Sequence, residues 1–354
     1  MAPVSEWRSS HPGLKSSSSS DGQSRSLKGG RHMKNHIALT ALALVIGTGL
    51  AHAQTVLNLG FVGGPQAPEA IGMAQFAEEI EERTEGRYKI QLQGGGALGG
   101  DRDVIEGVQF GTIEMTVSST SVVVNFAPEF GVFDVPFLFR DFDHAEQVFE
   151  GDIGTEIMGT LPNAGFVGLA MGGIGFRQLT NNVRPVTTAA DVEGLKIRTQ
   201  QNELHLQAWE ALGALPTPMA VTEVYAALQQ GVVDGQENPV GAIINNRFGE
   251  VQKYMSITNH AFTPVVLLIN PGVYGGLNPD DREIFHEAAV NAMQRTREEV
   301  EKIQESGLDT LRETGVEILT EVDGDSFREK LEPTFAKWSE RFGERLDAIR
   351  NTGK

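Results

Sequence analysis

Between residues 55 and 350 the apolar positions switch between a period of two and a period near 3.6. The order of the switches predicts an α/β protein. Residues 55–62 and 87–93 read as strands, and Met73, Phe76, Ala77 and Ile80 between them fall on one face of a helix. A strand at 113–117, an apolar run at 133–139 (FDVPFLF), two short helices over about 142–162 and a strand at 166–171 follow. Strands and helices alternating in this way build a wound α/β domain. Residues 174–180 (IGFRQLT) read as a separate strand that crosses to a second domain.

The second domain opens on a short strand at 195–199. Alternation sends Leu195, Ile197 and Thr199 to one face and Lys196 and Arg198 to the other. Asn202 is placed to cap the next helix, whose stripe is Leu204, Ala208 and Leu212, and Gly213 ends it. The nearly all-apolar run 262–270 (FTPVVLLIN) returns to the first domain. Asn278 and Pro279 then start a helix as N-cap and first helical residue should, running to about Arg312. At ~1.5 Å per residue it is about 50 Å long, so it must lie along both domains. A strand at 315–320 and a helix at 325–350, with Phe327, Leu331, Phe335, Trp338 and Phe342 inward, complete the chain. Three crossings leave each domain discontinuous.

The first 53 residues do not fit this scheme. Residues 1–32 are polar and serine-rich and read as a disordered or spurious extension. Met33 begins a signal peptide: Lys34, an apolar stretch Ile37 to Leu50, and the small-x-small site Ala51-His52-Ala53, with cleavage before Gln54. The apolar stretch is shorter than the roughly 20 residues of a membrane span. Export puts the mature protein in the periplasm. No cysteine is present, which removes disulfides, thiolate metal sites and cysteine nucleophiles. Residues 1–53 hold six of the 29 Lys and Arg and two of the 47 Asp and Glu. The remainder therefore carries 23 against 45, a net charge of −22. Such a surface repels nucleic acid and anionic lipid, and an anionic ligand must be drawn in by local arginines.

Candidate chemistry begins with Arg198. It stands at the carboxyl end of a strand, facing a strand-to-helix turn, where ligands of α/β proteins collect. Its guanidinium offers a planar fork suited to a carboxylate. The hydroxyls of Ser118, Ser119 and Thr120 can bond a polar ligand or cap the helix that follows. Asn238 can donate and accept. Asp234 and Glu237 beside it suit a cation or, more simply, helix capping. Gly94, Gly96 and Gly99 form G-x-G-x-x-G, but Asp101 puts a negative charge where a pyrophosphate would sit. No G-x-S-x-G, H-E-x-x-H or Walker pattern occurs from residue 54 onward, and His144, His205, His260 and His286 are scattered. An exported enzyme using Glu203 or His205 beside Arg198 is the competing class, and turnover would distinguish it from a binding protein.

The stretch 184–239 resembles the signature of the solute-binding receptors of tripartite ATP-independent periplasmic (TRAP) transporters. The residues that carry the resemblance are Arg184 and Pro185, Asp191, Gly194-Leu195-Lys196 with Arg198, Gly213-Ala214, Pro216 and Pro218-Met219, Glu223-Val224-Tyr225, and Asp234 to Pro239. It runs from about residue 54 to the C-terminus. It implies a two-domain α/β periplasmic binding protein (type II-like) with a hinge between the domains and one long helix spanning both. Domain I is expected at 54–175 plus 264–303, domain II at 176–263 plus 304–354. It further implies a receptor rather than an enzyme, one that holds an organic acid through an arginine–carboxylate salt bridge. Arg198 is its anchor, and Arg177 and Asn238 assist. Gln66, Ser118, Ser119, Gln200 and His205 complete the candidate set. The implied partners are the integral membrane subunits of a TRAP transporter; the chain is expected to be a monomer with no cofactor and no metal. The polar turn with Gln200, Gln201, Asn202 and His205 suits hydroxyls, which favours a sugar acid (uronate or aldonate) over a C4-dicarboxylate.

Overall fold

The switching periods translate into ten strands and twelve helices in a computed structural model that describes residues 54–353. The predicted signal peptide and the polar stretch before it lie outside the described residues. In chain order, β1 (Thr55–Gly60), α1 (Pro68–Arg83), β2 (Tyr88–Gln93), α2 (Asp101–Phe110) and β3 (Met115–Ser119) come first. The short helices α3 (Thr120–Val123), α4 (Phe142–Glu150) and α5 (Asp152–Met158) lead to the 15-residue strand β4 (Val167–Asn181). After it come β5 (Lys196–Thr199), α6 (Glu203–Ala211), β6 (Leu215–Pro218), α7 (Val221–Gln229), β7 (Gly235–Pro239) and α8 (Val240–Asn245). The chain closes with β8 (Tyr254–Ser256), β9 (Phe262–Ile269), α9 (Pro271–Gly276), α10 (Pro279–Glu313), β10 (Glu317–Leu319), α11 (Gly324–Phe342) and α12 (Glu344–Asn351).

The strands run in the order β2-β1-β3-β9-β4-β7-β5-β6, with β8 and β10 on a branch from β4. Strand β4 belongs to both halves. Its first part pairs antiparallel with β9, from Val167↔Ile269 to Phe176↔Phe262. Its last part pairs antiparallel with β7 and β8, beginning at Arg177↔Pro239. The register slips between Gly173 and Phe176, and Gly175 there has φ +116°, a conformation open to glycine. The slip marks where the strand changes partners.

Three expectations are corrected here. Residues 166–171 and 174–180 are one strand, not two. Gly172 and Gly173, read as a break, are instead places of close approach: a Cβ on Gly173 would lie 2.3 Å from the Phe262 ring. FDVPFLF forms no strand; Pro128–Asp134 is a 3-10 turn and Phe137 has φ +55°. The run is apolar because it is core, and Pro136 has no N–H to offer a ladder. The last helix is two helices, broken at Gly343 with φ +52°.

Side chains of β1, β3 and β9, of α1 and of the first half of α10 form one core around Leu59, Met73, Phe76, Phe285 and Ala292. Val224, Leu228, Ile243, Phe248 and Leu311 form another beneath α7 and α8. An aromatic-rich core holding Phe130, Phe133, Phe149, Trp209, Phe262 and Trp338 joins both halves. The 35-residue α10, capped by Asn278, places Phe285 in the first core and Leu311 in the second, so it does run along both halves. At Gly72 the backbone of α1 meets α10 so closely that a Cβ would lie 2.5 Å from the Ala292 carbonyl oxygen.

Candidate functional site

The carboxyl ends of β3, β5 and β7 open onto one cavity of about 60 Å³. The wall from the first half includes Val62, Gly63, Glu69, Asp101, Ser118 and Ser119. The facing wall holds Arg198, Gln200, Asn238 and Asn245. The register explains the second wall. Arg198 pairs with Gln236 in the parallel β5–β7 ladder, so Asn238, two residues on, shares its face. Asn202 caps α6 by accepting from the Leu204 and His205 amides, which fixes the turn that carries Gln200.

Arg198 is 2% exposed. It shares a face of β5 with the half-exposed Lys196, but at the carboxyl end of the strand that face is covered. Its Nε and Nη2 donate to the Met219 carbonyl oxygen at 3.1 and 2.7 Å, while Nη1 has no partner. Burial lowers its pKa to about 10, partly offset by Glu237, so the side chain remains a cation at neutral pH. A buried guanidinium with a free N–H at a cavity wall is a site prepared for an anion. Gln200 is also buried with Oε1 unpartnered.

Arg177 lines the same cavity but is already engaged. It forms a buried ion pair with Glu237, its Nη2 donating to Oε1 at 2.8 Å, and its Nη1 donates to Thr263 Oγ1 at 3.0 Å. The pair is diagonal across β4 and β7: Arg177 stands opposite Pro239, and Glu237 two residues before it. Nη2 also donates to Asn238 Oδ1 at 3.3 Å, which orients that amide. Burial by itself would raise the pKa of Glu237, but the Arg177 charge and hydrogen bonds from His260 and Arg177 hold it well below the carboxylate range. His260 is pushed below its ordinary value by burial, partly offset by its 3.0 Å contact with Glu237.

The remaining candidates divide. Ser118 and Ser119 are at the wall, and Ser119 in addition caps α3 by accepting from the Ser121 amide. His205 does not line the cavity. It is 5% exposed behind it, with Asp134 at 3.6 Å and Glu237 at 4.0 Å and no hydrogen-bond partner for either ring nitrogen. Gln66 is exposed and also off the cavity. Of Asp234 and Glu237, the first accepts the Lys196 amide at 2.9 Å and the second holds Arg177.

Two carboxylates that were not candidates stand on the wall facing Arg198: Glu69 in the first turn of α1 and Asp101 at the first position of α2. Burial raises Asp101 to about 6, eased by Arg198 and by a hydrogen bond from Ser118. Burial, with a smaller contribution from Asp101, raises Glu69 to about 7. An acid in a first helical turn reads as a partner of the helix dipole, which hid both. The usable signal is an acid placed just after a glycine turn at a strand's carboxyl end. A larger cavity of about 670 Å³ shares only Pro68 and Ile174 with this one. Its floor is mainly apolar (Phe142, Phe176, Val300, Ile303), and of its arginines Arg140 is tied to the Arg350 and Thr352 carbonyls.

The halves touch along the rim. Side chains added at Gly96 and Gly100 would meet Thr222 at 2.7 Å and Ala220 at 3.1 Å, and Asn125 Nδ2 donates to the Gln201 carbonyl at 2.8 Å.

Comparison with known proteins agrees with this geometry. Residues 59–341 match the family described as bacterial extracellular solute-binding protein, family 7. The 2,3-diketo-L-gulonate-binding periplasmic protein of Escherichia coli (strain K12) is 34% identical over 275 residues, covering 78% of this chain and 84% of the relative. A TRAP periplasmic solute-binding protein from Polaromonas sp. JS666 bound to D-erythronate is similar with a TM-score of 0.84 and 39% identity, covering 85% of this chain and 100% of that one. Another, from Bordetella bronchispeptica with bound density interpreted as pantoate, gives 0.83 and 42% over the same shares. TRAP solute-binding proteins capture small organic acids and deliver them to membrane subunits; they are receptors, not enzymes. With its two-half α/β fold and a family match over residues 59–341, this chain belongs to family 7 of the bacterial extracellular solute-binding proteins, the organic-acid receptors of TRAP transporters.

Proposed function

We propose that the protein is exported through the signal peptide at 33–53 and captures a sugar acid in the periplasm. Arg198 binds the carboxylate, Asn238 and Gln200 bond the neighbouring oxygens, and Ser118 and Ser119 meet the ligand from the other half. Arg177, held by Glu237, acts by orienting Asn238. The observation that carries this reading is the buried, unpartnered Nη1 of Arg198 at the wall of the cavity between the halves. The sugar acids of the erythronate-bound and 2,3-diketo-L-gulonate-binding relatives support the class.

The volume between the walls is small, about 60 Å³, so a ligand of several carbons is admitted by parting of the walls. The domain limits of 54–175 plus 264–303 and 176–263 plus 304–354 place the moving boundary at the change of partners in β4. Helix α12 reaches back across it, with Arg345 pairing Glu156 of α5. Ligand touching both walls would shift the population to the closed form, which then docks on the transporter's membrane subunits.

The test is thermal unfolding of protein stripped of co-purified acid, against aldonates, uronates and C4-dicarboxylates, for wild type and Arg198→Ala. A ligand at 100 times its Kd adds about 2.7 kcal/mol to the native state. Removing one partner of a buried charge pair costs about 2–5 kcal/mol, roughly 30-fold to several thousand-fold in Kd. A shift with one acid class that is lost in Arg198→Ala supports the reading. An equal shift in the variant refutes it.

A further inference from the structure

The charges of the cavity are divided between its walls, and the division selects among acids. On one wall Arg198 offers a free N–H and is, among the described residues, the site's available cation, because Arg177 is neutralised by Glu237. On the other wall stand Glu69 and Asp101, with Ser118 between Asp101 and the ladder. The Glu69 carboxylate lies over the loop at Gly63, where a Cβ would come within 2.1 Å of its Oε1. An acid that binds Arg198 through one carboxylate extends towards these two. Hydroxyls in that position donate to carboxylate oxygens. A second carboxylate there finds no free cation and meets like charge in a buried place, which strongly disfavours it.

We infer that Glu69 and Asp101 are the specificity determinants of this receptor: they accept hydrogen bonds from the hydroxyls of a monocarboxylic polyhydroxy acid and turn away acids with a carboxylate at both ends. The inference rests on the Arg198 anchor proposed above. The raised pKa values of both groups, caused chiefly by burial, agree with it, since a hydroxyl donor favours a buried carboxylate and a second anion would raise them further.

Calorimetric titration of stripped receptor with D-erythronate and meso-tartrate tests it, because these differ only in the oxidation of the terminal carbon. Galactonate and galactarate repeat the comparison at six carbons. Wild type should bind the aldonate of at least one pair about 100-fold or more tightly than its diacid. Glu69→Gln and Asp101→Asn, each shown to be folded by thermal unfolding, should reduce that ratio about tenfold or more, with the diacid gaining affinity. A diacid that binds wild type within about threefold of its aldonate overturns the inference without any variant. A ratio unchanged in both variants overturns it as well. If Arg198→Ala binds aldonates as well as wild type, or no acid of either kind binds, the receptor reading fails and the inference fails with it. A preserved anchor with no discrimination removes the inference alone.

Discussion

At the scale of single residues, the site is a set of polar groups left partly unsatisfied. Arg198 Nη1 and Gln200 Oε1 lack partners in a buried place, which costs stability unless a ligand supplies them. Glu69 and Asp101 carry the same kind of cost, and pH reveals it. Their ordinary values of 4.5 and 3.8 rise to about 7 and about 6 in the folded protein. Between about pH 4 and pH 7 the native state therefore holds more protons than the unfolded chain, and the contribution of these groups to stability falls as pH rises. Glu69→Gln and Asp101→Asn are expected to match wild type in urea unfolding near pH 4 and to exceed it at pH 8 without ligand. A difference of the same size at both pH values contradicts this account. Asp101 was visible in the sequence as a charge at a helix start, but its position opposite Arg198 was not, because nothing local links residue 101 to residue 198.

At the scale of elements, the shared strand β4 and its neighbour β7 hold the buried ion pair between Arg177 and Glu237. A buried pair is weak evidence of net stabilisation, but breaking one half of it leaves an uncompensated charge. Arg177→Met should lower the unfolding free energy by about 3–5 kcal/mol near neutral pH. The sign of its pH dependence is opposite to that of Glu69 and Asp101. Glu237 is depressed, so its contribution is present above its unfolded value of 4.5 and is lost as pH falls. The gap between wild type and variant should therefore narrow in acid. A variant as stable as wild type at pH 7 would show that Arg177 serves ligand rather than fold. Elements bounded by local signals, such as α6 behind Asn202 and α10 behind Asn278, were legible in the sequence. The extent of β4 was not, since its glycines mark contacts with Phe262 and Met293 that only the fold brings near.

At the scale of the whole molecule, two half-sheets meet over a cavity and touch at a rim of small residues. Gly100 sits 3.1 Å (as a built Cβ) from Ala220, and it has an ordinary extended backbone, so a larger residue there is opposed by contact rather than strain. Gly100→Leu should prop the rim apart, weakening acid binding about tenfold or more through the loss of the closed population. In small-angle scattering the saturated variant should keep a larger radius of gyration than saturated wild type. Identical radii and affinities would mean that the rim contact does not limit closure. The net charge of −22 beyond residue 53 makes the same point about scale: a protein of net negative charge admits an anion through a local cation, here Arg198.

The sequence by itself determined what depends on near neighbours. Side-chain periodicity set the helices and most strands, asparagines set the caps of α6 and α10, and strand-then-turn chemistry placed Arg198 at a strand's carboxyl end. It also carried the family, because that signature is written in consecutive residues from 184 to 239. The tertiary structure alone decided which charges face each other. Register across β4 and β7 gave Arg177 to Glu237, 60 residues away, and so left Arg198 as the free cation of the cavity among the described residues. The stacking of α6 turned His205 inward towards Asp134, and the two helix N-termini brought Glu69 and Asp101 to the opposite wall. The physical reason is common to all of these: a local pattern states which face a side chain takes, whereas a long-range pairing states what that face meets.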